Sequence, residues 1–235
     1  MGQSMRGVLS RSVVVFAFAM AAVPVAAGAA SGFTLFGDAQ LVHPGHDSPT
    51  AVQLRSTVPG GFGGIDFAVP SGTTFGSLTN LGTDFMFTAA SCGGGSPRFQ
   101  INVAGKNAFV YIGPPPNYTG CPMNVWLSTG NLATPAGFVD TSQLPGGTFY
   151  ETFAGADVKY GSEVVTGIQL VTDSSWFFNS TQTVEVDNVM INSATYTFES
   201  MQSCKDGGWQ DFTSSPGPFK NQGDCVSFFA TGGNS

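Results

Sequence analysis

Apolar and polar residues alternate in short runs over most of the chain, and residues 98–103 show this most clearly. Their expected inward side chains are Phe99, Ile101 and Val103, and the outward ones are Arg98, Gln100 and Asn102. A period of two is typical of a strand with one buried face. The same pattern recurs at residues 65–69, 85–87, 163–172, 183–191 and 196–198.

Two of these runs predict particular core-facing residues. The expected inward side chains are Val164, Ile168 and Leu170 in the first run, and Val184, Val186 and Met190 in the second. If each run is a regular strand, strict alternation applies along its whole length.

Glycine and proline clusters separate the runs, for example at residues 59–61, 92–95, 113–116 and 145–147. Such clusters supply the backbone angles that chain reversals need. Nine or ten short strands without an amphipathic helix between them predict an all-β fold of two packed antiparallel sheets. We therefore predict a jelly-roll-like β-sandwich over residues 30–200, with one short helix at residues 152–160.

The composition changes from Met201 onwards. We predict a small C-terminal module at residues 201–235, with a short helix at residues 224–230, and we call this segment the tail. Its large aromatic residues are Trp209, Phe212, Phe219, Phe228 and Phe229. So short a unit has little core of its own in which to bury them, and we expect the tail to dock on the sandwich or, as the alternative, on a partner at the cell surface.

The amino terminus has the pattern of an export signal. Arg6 and Arg11 provide a basic start, residues 13–23 form an uncharged apolar run, and small residues surround Ala29. The run is well short of the ~20 residues that span a bilayer, which argues against a transmembrane anchor. We predict a signal peptide at residues 1–29 and a secreted, extracellular protein, and the leader's composition is typical of a bacterium.

Composition and charge exclude two classes of protein. Only 10% of the residues are charged and 42% are hydrophobic, the opposite of a disordered chain. The chain has eight basic and 15 acidic residues, and six basic residues remain once Arg6 and Arg11 are removed with the signal peptide. A chain with so few basic groups is unsuited to binding nucleic acid.

Four cysteines in an exported chain predict two disulfides. Three pairings are possible, and we predict Cys92–Cys121 and Cys204–Cys225 because each pair lies within one compositional segment. A zinc site is the alternative, but the chain has no C-x-x-C spacing and only two histidines.

The tail resembles a C-terminal segment of exported bacterial proteins, with the pattern C-K-x-G-G-W followed by F-K-N-Q-G-x-C-V. Residues 204–209 and 219–226 meet every fixed position, and residues 91–100 resemble a run in uncharacterised secreted proteins that carry the same tail. The resemblance implies an exported protein and carries over no catalytic residue. The sandwich is also similar in texture to carbohydrate-binding jelly rolls.

Glu185 and Asp187 lie two apart on a predicted strand, so both carboxylates are expected on one face. This stretch resembles the E-x-D-x-x-E strand of one group of jelly-roll glycoside hydrolases, in which two glutamates do the chemistry. Here Met190 occupies the last position, which removes the second glutamate. Glycoside hydrolysis is therefore our third hypothesis for function.

Two metal sites are conceivable from residue type alone. Asp38, near the first strand, and Asp187, near the last, have the oxygen ligands of a structural Ca²⁺ site, and otherwise they are solvated acids at strand ends. The segment containing His43, His46 and Asp47 offers imidazoles and a carboxylate, but its proline and glycine favour a polar loop. We predict no other cofactor.

Aromatic side chains are the remaining candidates for ligand binding, because flat sugar faces stack on exposed rings. Tyr118 and Trp126 flank Cys121 in a proline-rich loop, and Trp176 follows a strand. Our leading hypothesis is an exported, non-catalytic binding protein whose ligand is an extracellular glycan. The alternative is a structural or adhesive protein whose partner is a cell-surface component.

Overall fold

The computed structural model describes residues 32–213 and 216–231, and the signal peptide predicted at residues 1–29 lies outside them. Thirteen strands occur within these residues. In chain order they are β1 (Phe33–Gly37), β2 (Ala39–Val42), β3 (Ala51–Ser56), β4 (Gly63–Phe67), β5 (Leu81–Ala89), β6 (Arg98–Val103), β7 (Lys106–Tyr111), β8 (Leu127–Ser128), β9 (Phe138–Val139), β10 (Glu151–Thr152), β11 (Val165–Thr172), β12 (Gln182–Ile191) and β13 (Ala194–Tyr196).

Two antiparallel sheets form the sandwich that the alternation predicts. One sheet has the strand order β1-β4-β11-β6-β7. The other has the order β2-β3-β12-β5-β8, with β13 paired to the end of β12. A two-stranded ribbon of β9 and β10 lies outside both sheets. The core between the sheets contains fully buried side chains from both, including Leu54, Ile65, Phe87, Phe99 and Ile101.

Helices are short and lie outside the sheets. They are α1 (Phe153–Tyr160), α2 (Ser175–Phe178) and α3 (Gln222–Ala230), together with 3₁₀ turns at Phe75–Ser77, Met201–Cys204 and Gly208–Gln210. The first agrees with the helix predicted at residues 152–160. Within residues 32–213 and 216–231, no helix is long and apolar enough to cross a membrane.

A bulge in β11 makes the predicted core position of Val164 wrong. The register against β6 shifts between Val165 and Gly167, and the strand begins only at Val165. The extra residue reverses the alternation there, so Val165 joins Ile168 in the core while Val164 is 52% exposed.

A second irregularity in β12 makes the predicted core position of Met190 wrong. Asn188 adopts φ of 47°, and the register against β5 shifts between Asp187 and Met190. Val189 therefore occupies the core position, whereas Met190 is only partly buried. Asparagine is one of the few residues that accept this left-handed conformation readily.

Both predicted disulfides are confirmed. Cys92–Cys121 connects the segment after β5 to the loop that precedes β8, and Cys204–Cys225 connects a 3₁₀ turn to α3. The second bond lies at the centre of a small cluster with Phe212, against which Trp209 and Phe219 pack.

The tail contacts the sandwich mainly through polar groups. Thr50 Oγ1 lies 3.2 Å from Ser203 Oγ, and the amide of Thr213 donates to the carbonyl of Asp47 at 3.3 Å. An open groove of about 790 Å³ separates residues 41–50 from residues 200–211. The two segments are thus in polar contact, while the tail's aromatic rings pack largely on one another.

Candidate functional site

The outer face of the five-stranded sheet carries a row of four side chains that pair across β4, β11, β6 and β7. In that order they are Asp66, Gln169, Gln100 and Phe109, and we call this row the polar ladder. The neighbouring residues along β6 are buried in the core, so the ladder faces away from it. Gln100 Nε2 donates to Gln169 Oε1 at 2.9 Å, which links the two amides across β6 and β11.

A fixed guanidinium lies beside the ladder. Arg98 donates from Nη1 and Nη2 to the two carboxylate oxygens of Asp173, both at 2.7 Å. Its Cζ lies 5.0 Å from the centroid of the Phe109 ring. A bidentate pair with both ends held in this way is rigid and planar.

Four aromatic rings stand at the β7 end of the ladder, and we call Tyr111, Tyr118, Phe149 and Tyr150 the aromatic cluster. Ring centroids lie 5.5 Å apart between Tyr111 and Tyr118 and between Tyr118 and Tyr150, and 4.1 Å apart between Phe149 and Tyr150. The Phe149 ring is 58% exposed, whereas Tyr118 is buried beneath the others. The cluster therefore presents an apolar wall beside a polar surface.

The phenols of the cluster are neutral near pH 7, as tyrosine ordinarily is, and burial shifts their pKa values further upwards. Burial raises the pKa of Tyr111 far above its usual value, and the hydrogen bond that Tyr111 donates to Asp140 at 2.6 Å adds to the rise. Burial also raises the pKa values of Tyr118 and Tyr150. These groups therefore act only as neutral hydrogen-bonding partners near pH 7.

Two of the rings stand on unusual backbone. Tyr118 and Tyr150 adopt φ of 50° and 59°, where a residue with a Cβ is disfavoured by about 1–2 kcal/mol. They stack on each other with planes 29° apart.

Comparison of the chain with family models, with curated proteins and with solved structures found no match. The resemblance of the tail to segments of exported bacterial proteins therefore stays a prediction.

The aromatic residues predicted as ligand-binding do not form one platform. Tyr118 belongs to the aromatic cluster at the five-stranded sheet. Trp126 lies beside the six-stranded sheet, stacked on His46 with ring centroids 5.0 Å apart and planes at 15°. Trp176 is 62% exposed on α2. Tyr118 and Trp126, which flank Cys121 in the sequence, therefore lie beside different sheets and do not form a single surface.

Hydrogen bonds to both imidazole rings hold the loop that contains His43 and His46 in place. His46 Nδ1 lies 2.9 Å from Asp84 Oδ2, and His43 Nδ1 lies 2.6 Å from the carbonyl of Pro49. The two imidazoles thus have different partners. No group of three or more histidine, cysteine, aspartate or glutamate side chains is arranged to hold a metal within residues 32–213 and 216–231.

Asp38 and Asp187, the predicted calcium ligands, are not brought together. Asp38 lies beside Arg55, with 3.3 Å between its Oδ2 and Arg55 Nη1. Val186, the residue before Asp187, pairs with Val52 of β3. Val52 is three residues, or about 10 Å, away from Arg55 along that strand. Any cation bound by Asp187 therefore needs ligands other than Asp38.

Asp187 is fully buried and accepts three hydrogen bonds. Its Oδ2 receives the His46 amide at 2.8 Å and the Ser48 hydroxyl at 2.7 Å, and its Oδ1 receives the Asn188 amide at 2.7 Å. Burial raises the pKa of Asp187 to about 7, and the charge of Glu199 adds to the rise.

Glu185, the other residue of the hydrolase-like pair, is more accessible than Asp187. It is half-buried beside Gln53, and burial raises its pKa. A substrate on this face reaches Glu185 but not the covered Asp187 carboxylate, so the two acids do not flank an open site.

Proposed function

We propose that this is an exported, non-catalytic binding protein that holds a glycan on the outer face of its five-stranded sheet. The observation that carries the proposal is the polar ladder bordered by the aromatic cluster. Amide and carboxylate groups exchange hydrogen bonds with sugar hydroxyls, and an exposed ring such as Phe149 packs against the apolar face of a pyranose.

The charges on this face favour an uncharged saccharide. Arg98 lies beside the ladder, and its Nη1 and Nη2 atoms already donate to the carboxylate of Asp173. Asp66 adds a negative charge at the other end of the ladder. A sulfated or carboxylated glycan would meet repulsion from Asp66 without gaining a free cation.

The disulfides support an extracellular location. Cys92–Cys121 and Cys204–Cys225 are of the kind that persists in oxidising compartments. Together with the predicted signal peptide, they support export to a compartment in which extracellular glycans occur.

The proposal is tested by binding to a panel of neutral oligosaccharides and soluble polysaccharides, measured on an array and then by calorimetry. We expect Phe149→Ala and Gln169→Ala each to weaken binding about three- to tenfold, because they remove a stacking ring and a ladder amide. The matched control is Gln53→Ala, which alters a similar amide pair with Gln40 on the other sheet.

Two results would contradict the proposal. One is the absence of binding to every member of the panel. The other is binding that Phe149→Ala and Gln169→Ala leave unchanged while Gln53→Ala or Trp176→Ala abolishes it, which would move the site to another surface.

A second candidate function, adhesion to other proteins, is favoured by one apolar end of the sandwich. Trp176 and Phe177 on α2 are exposed, as are Val58 and Phe62 in the loop after β3. Ser56 links the two segments, since its hydroxyl accepts from the Ser175 amide and donates to the Gly61 carbonyl. Exposed apolar patches of this kind mark protein contacts. Loss of cell-surface retention in Trp176→Ala but not in Phe149→Ala would favour this function.

A further inference from the structure

The row of side chains that contains the polar ladder crosses the whole five-stranded sheet. Thr34 on β1 pairs directly with Asp66, the first member of the ladder. The complete row, in register across all five strands, is Thr34, Asp66, Gln169, Gln100 and Phe109. Thr34 and Asp66 are exposed, and the other three side chains are half-buried. Four strand spacings of ~4.8 Å give this row a length of about 19 Å, far more than one sugar ring can cover.

A second row lies two residues further along each strand on the same outer face, and we call it the border row. Its members, again in register across the five strands, are Phe36, Gly64, Val171, Arg98 and Tyr111. The ring of Phe36 covers Gly64, because a Cβ on Gly64 would collide with it. The polar groups of Arg98 and Tyr111 are already paired with acids, and the rest of the border row is apolar.

The two rows therefore offer different chemistry side by side. The ladder and Thr34 present amide, carboxylate and hydroxyl groups, whereas the border row presents mainly carbon. The rows lie about 7 Å apart, because each residue along a strand rises ~3.3 Å. A pyranose has the same division, since its hydroxyls project from the rim and its C–H groups form the ring faces. A chain of pyranoses can set its hydroxyls on the ladder and its apolar faces towards the border row.

The spacing of the strands also matches the repeat of such a chain. One strand spacing, ~4.8 Å, is close to the length that a pyranose adds to an extended chain. A chain running across the strands therefore places about one ring at each position of the row. Equatorial bonds at opposite ends of each ring keep a chain straight, whereas axial or 1,3 linkages make it curve. A chain that is already straight loses little conformational freedom on binding.

We propose that the ligand of this face is a linear, neutral polysaccharide of equatorially bonded, 1,4-linked pyranoses, which lies across the strands with about four rings along the row. This inference rests on the proposed glycan-binding function and adds the shape, direction and minimum length of the glycan. The hydrogen bond between Gln100 and Gln169 holds the middle of the row in one geometry before any ligand binds, which lowers the cost of binding.

The test is calorimetry on the mature protein with β-1,4-linked gluco- and manno-oligosaccharides of two to six residues. We expect the affinity to rise about three- to tenfold with each added residue, because each adds a net hydrogen bond. The rise should level off at about four residues, where the row ends. β-1,3-linked gluco-oligosaccharides of the same lengths should show no such rise, since a curved chain leaves the row.

Thr34→Val tests the far end of the row. The substitution removes the hydroxyl but keeps the branched shape that suits a strand. It should weaken binding of the hexasaccharide about three- to tenfold and leave the disaccharide unchanged, because the short ligand occupies the aromatic end. The matched control is Thr166→Val, which alters an exposed threonine of the same sheet outside both rows and should change nothing.

Three outcomes would overturn this inference while leaving the proposed function in place. The first is equal affinity for the disaccharide and the hexasaccharide. The second is the same length dependence in the β-1,3-linked series. The third is a Thr34→Val variant that binds the hexasaccharide as tightly as the wild type does. Absence of binding to every neutral saccharide would overturn the proposed function and this inference together.

Discussion

Asp187 owes its chemistry to a loop that is distant in sequence. Alternation along β12 predicts that it shares a face with Glu185. Its burial depends on His46 and Ser48, about 140 residues earlier, which fold over it and donate hydrogen bonds. No local sequence pattern shows that this loop covers Asp187. The prediction that Asp38 and Asp187 share a calcium site therefore rested on residue type alone.

The raised pKa of Asp187 predicts a specific pH dependence of stability. Its pKa is about 7 in the folded protein and 3.8 in the unfolded chain. The folded state therefore binds the proton more tightly. The resulting stability is fully present below about pH 4 and is lost as the pH rises towards 7, by at most about 1.4 kcal/mol per pH unit.

The comparison that isolates this effect is between wild type and Asp187→Asn, by urea unfolding between about pH 4 and 8. We expect the difference in unfolding free energy to change across this window and to level off above about pH 7. A difference that is constant with pH would show that Asp187 does not titrate there, and Asp84→Asn serves to separate the contribution of the His46 pair.

At the scale of elements, local sequence signals predicted the structure correctly where residues within one helical turn determine it. The helix predicted at residues 152–160 is α1, and Thr152 caps it by accepting from the Gly155 amide at 3.1 Å. The strand faces of β11 and β12 were wrong near Val164 and Met190, because the bulges there depend on neighbouring strands. Period-two patterns cannot reveal an inserted residue before the register is known.

Helix α1 allows a prediction with opposite signs at two positions. Thr152→Ala removes the amino-terminal cap and should lower the unfolding free energy by about 1 kcal/mol. Val158 is 88% exposed in the same helix, so Val158→Ala should leave stability unchanged or raise it by up to about 0.7 kcal/mol, since alanine has the higher helix propensity. Chemical denaturation measures both changes. Equal losses in the two variants would mean that the cap does not hold the helix.

At the scale of the molecule, the two-sheet architecture was predictable from the alternation of apolar and polar residues between turns, and the disulfides were predictable because each pair lies within one compositional segment. The aromatic cluster was not, although Tyr118 was singled out. Tyr111 lies on β7 and Tyr150 lies in the loop before β10, and only the folded chain stacks Tyr118 between them. The outward positions of Arg98 and Gln100 were predicted, but their neighbours across the sheet required its register.

The tail illustrates the same distinction between composition and packing. Its aromatic residues suggested that some must face another surface. In the structure Phe212 is buried against Phe219 and Phe229, with ring centroids 5.1 and 5.6 Å away. The disulfide at the centre of this cluster compensates for its small size. The sandwich and the tail thus have separate clusters of buried side chains.

Because the sandwich and the tail have separate clusters of buried side chains, we expect the sandwich to remain folded when the tail is removed. A chain ending at Ser200 loses the Thr50–Ser203 contact and the bond from Thr213 to the Asp47 carbonyl, but no residue of the sandwich core. Two such polar contacts contribute about 2 kcal/mol, or about 4–8 °C in melting temperature for a domain of this size. Calorimetry should therefore find a cooperative transition lowered by that amount. An unfolded truncated chain would instead mean that the tail completes the sandwich.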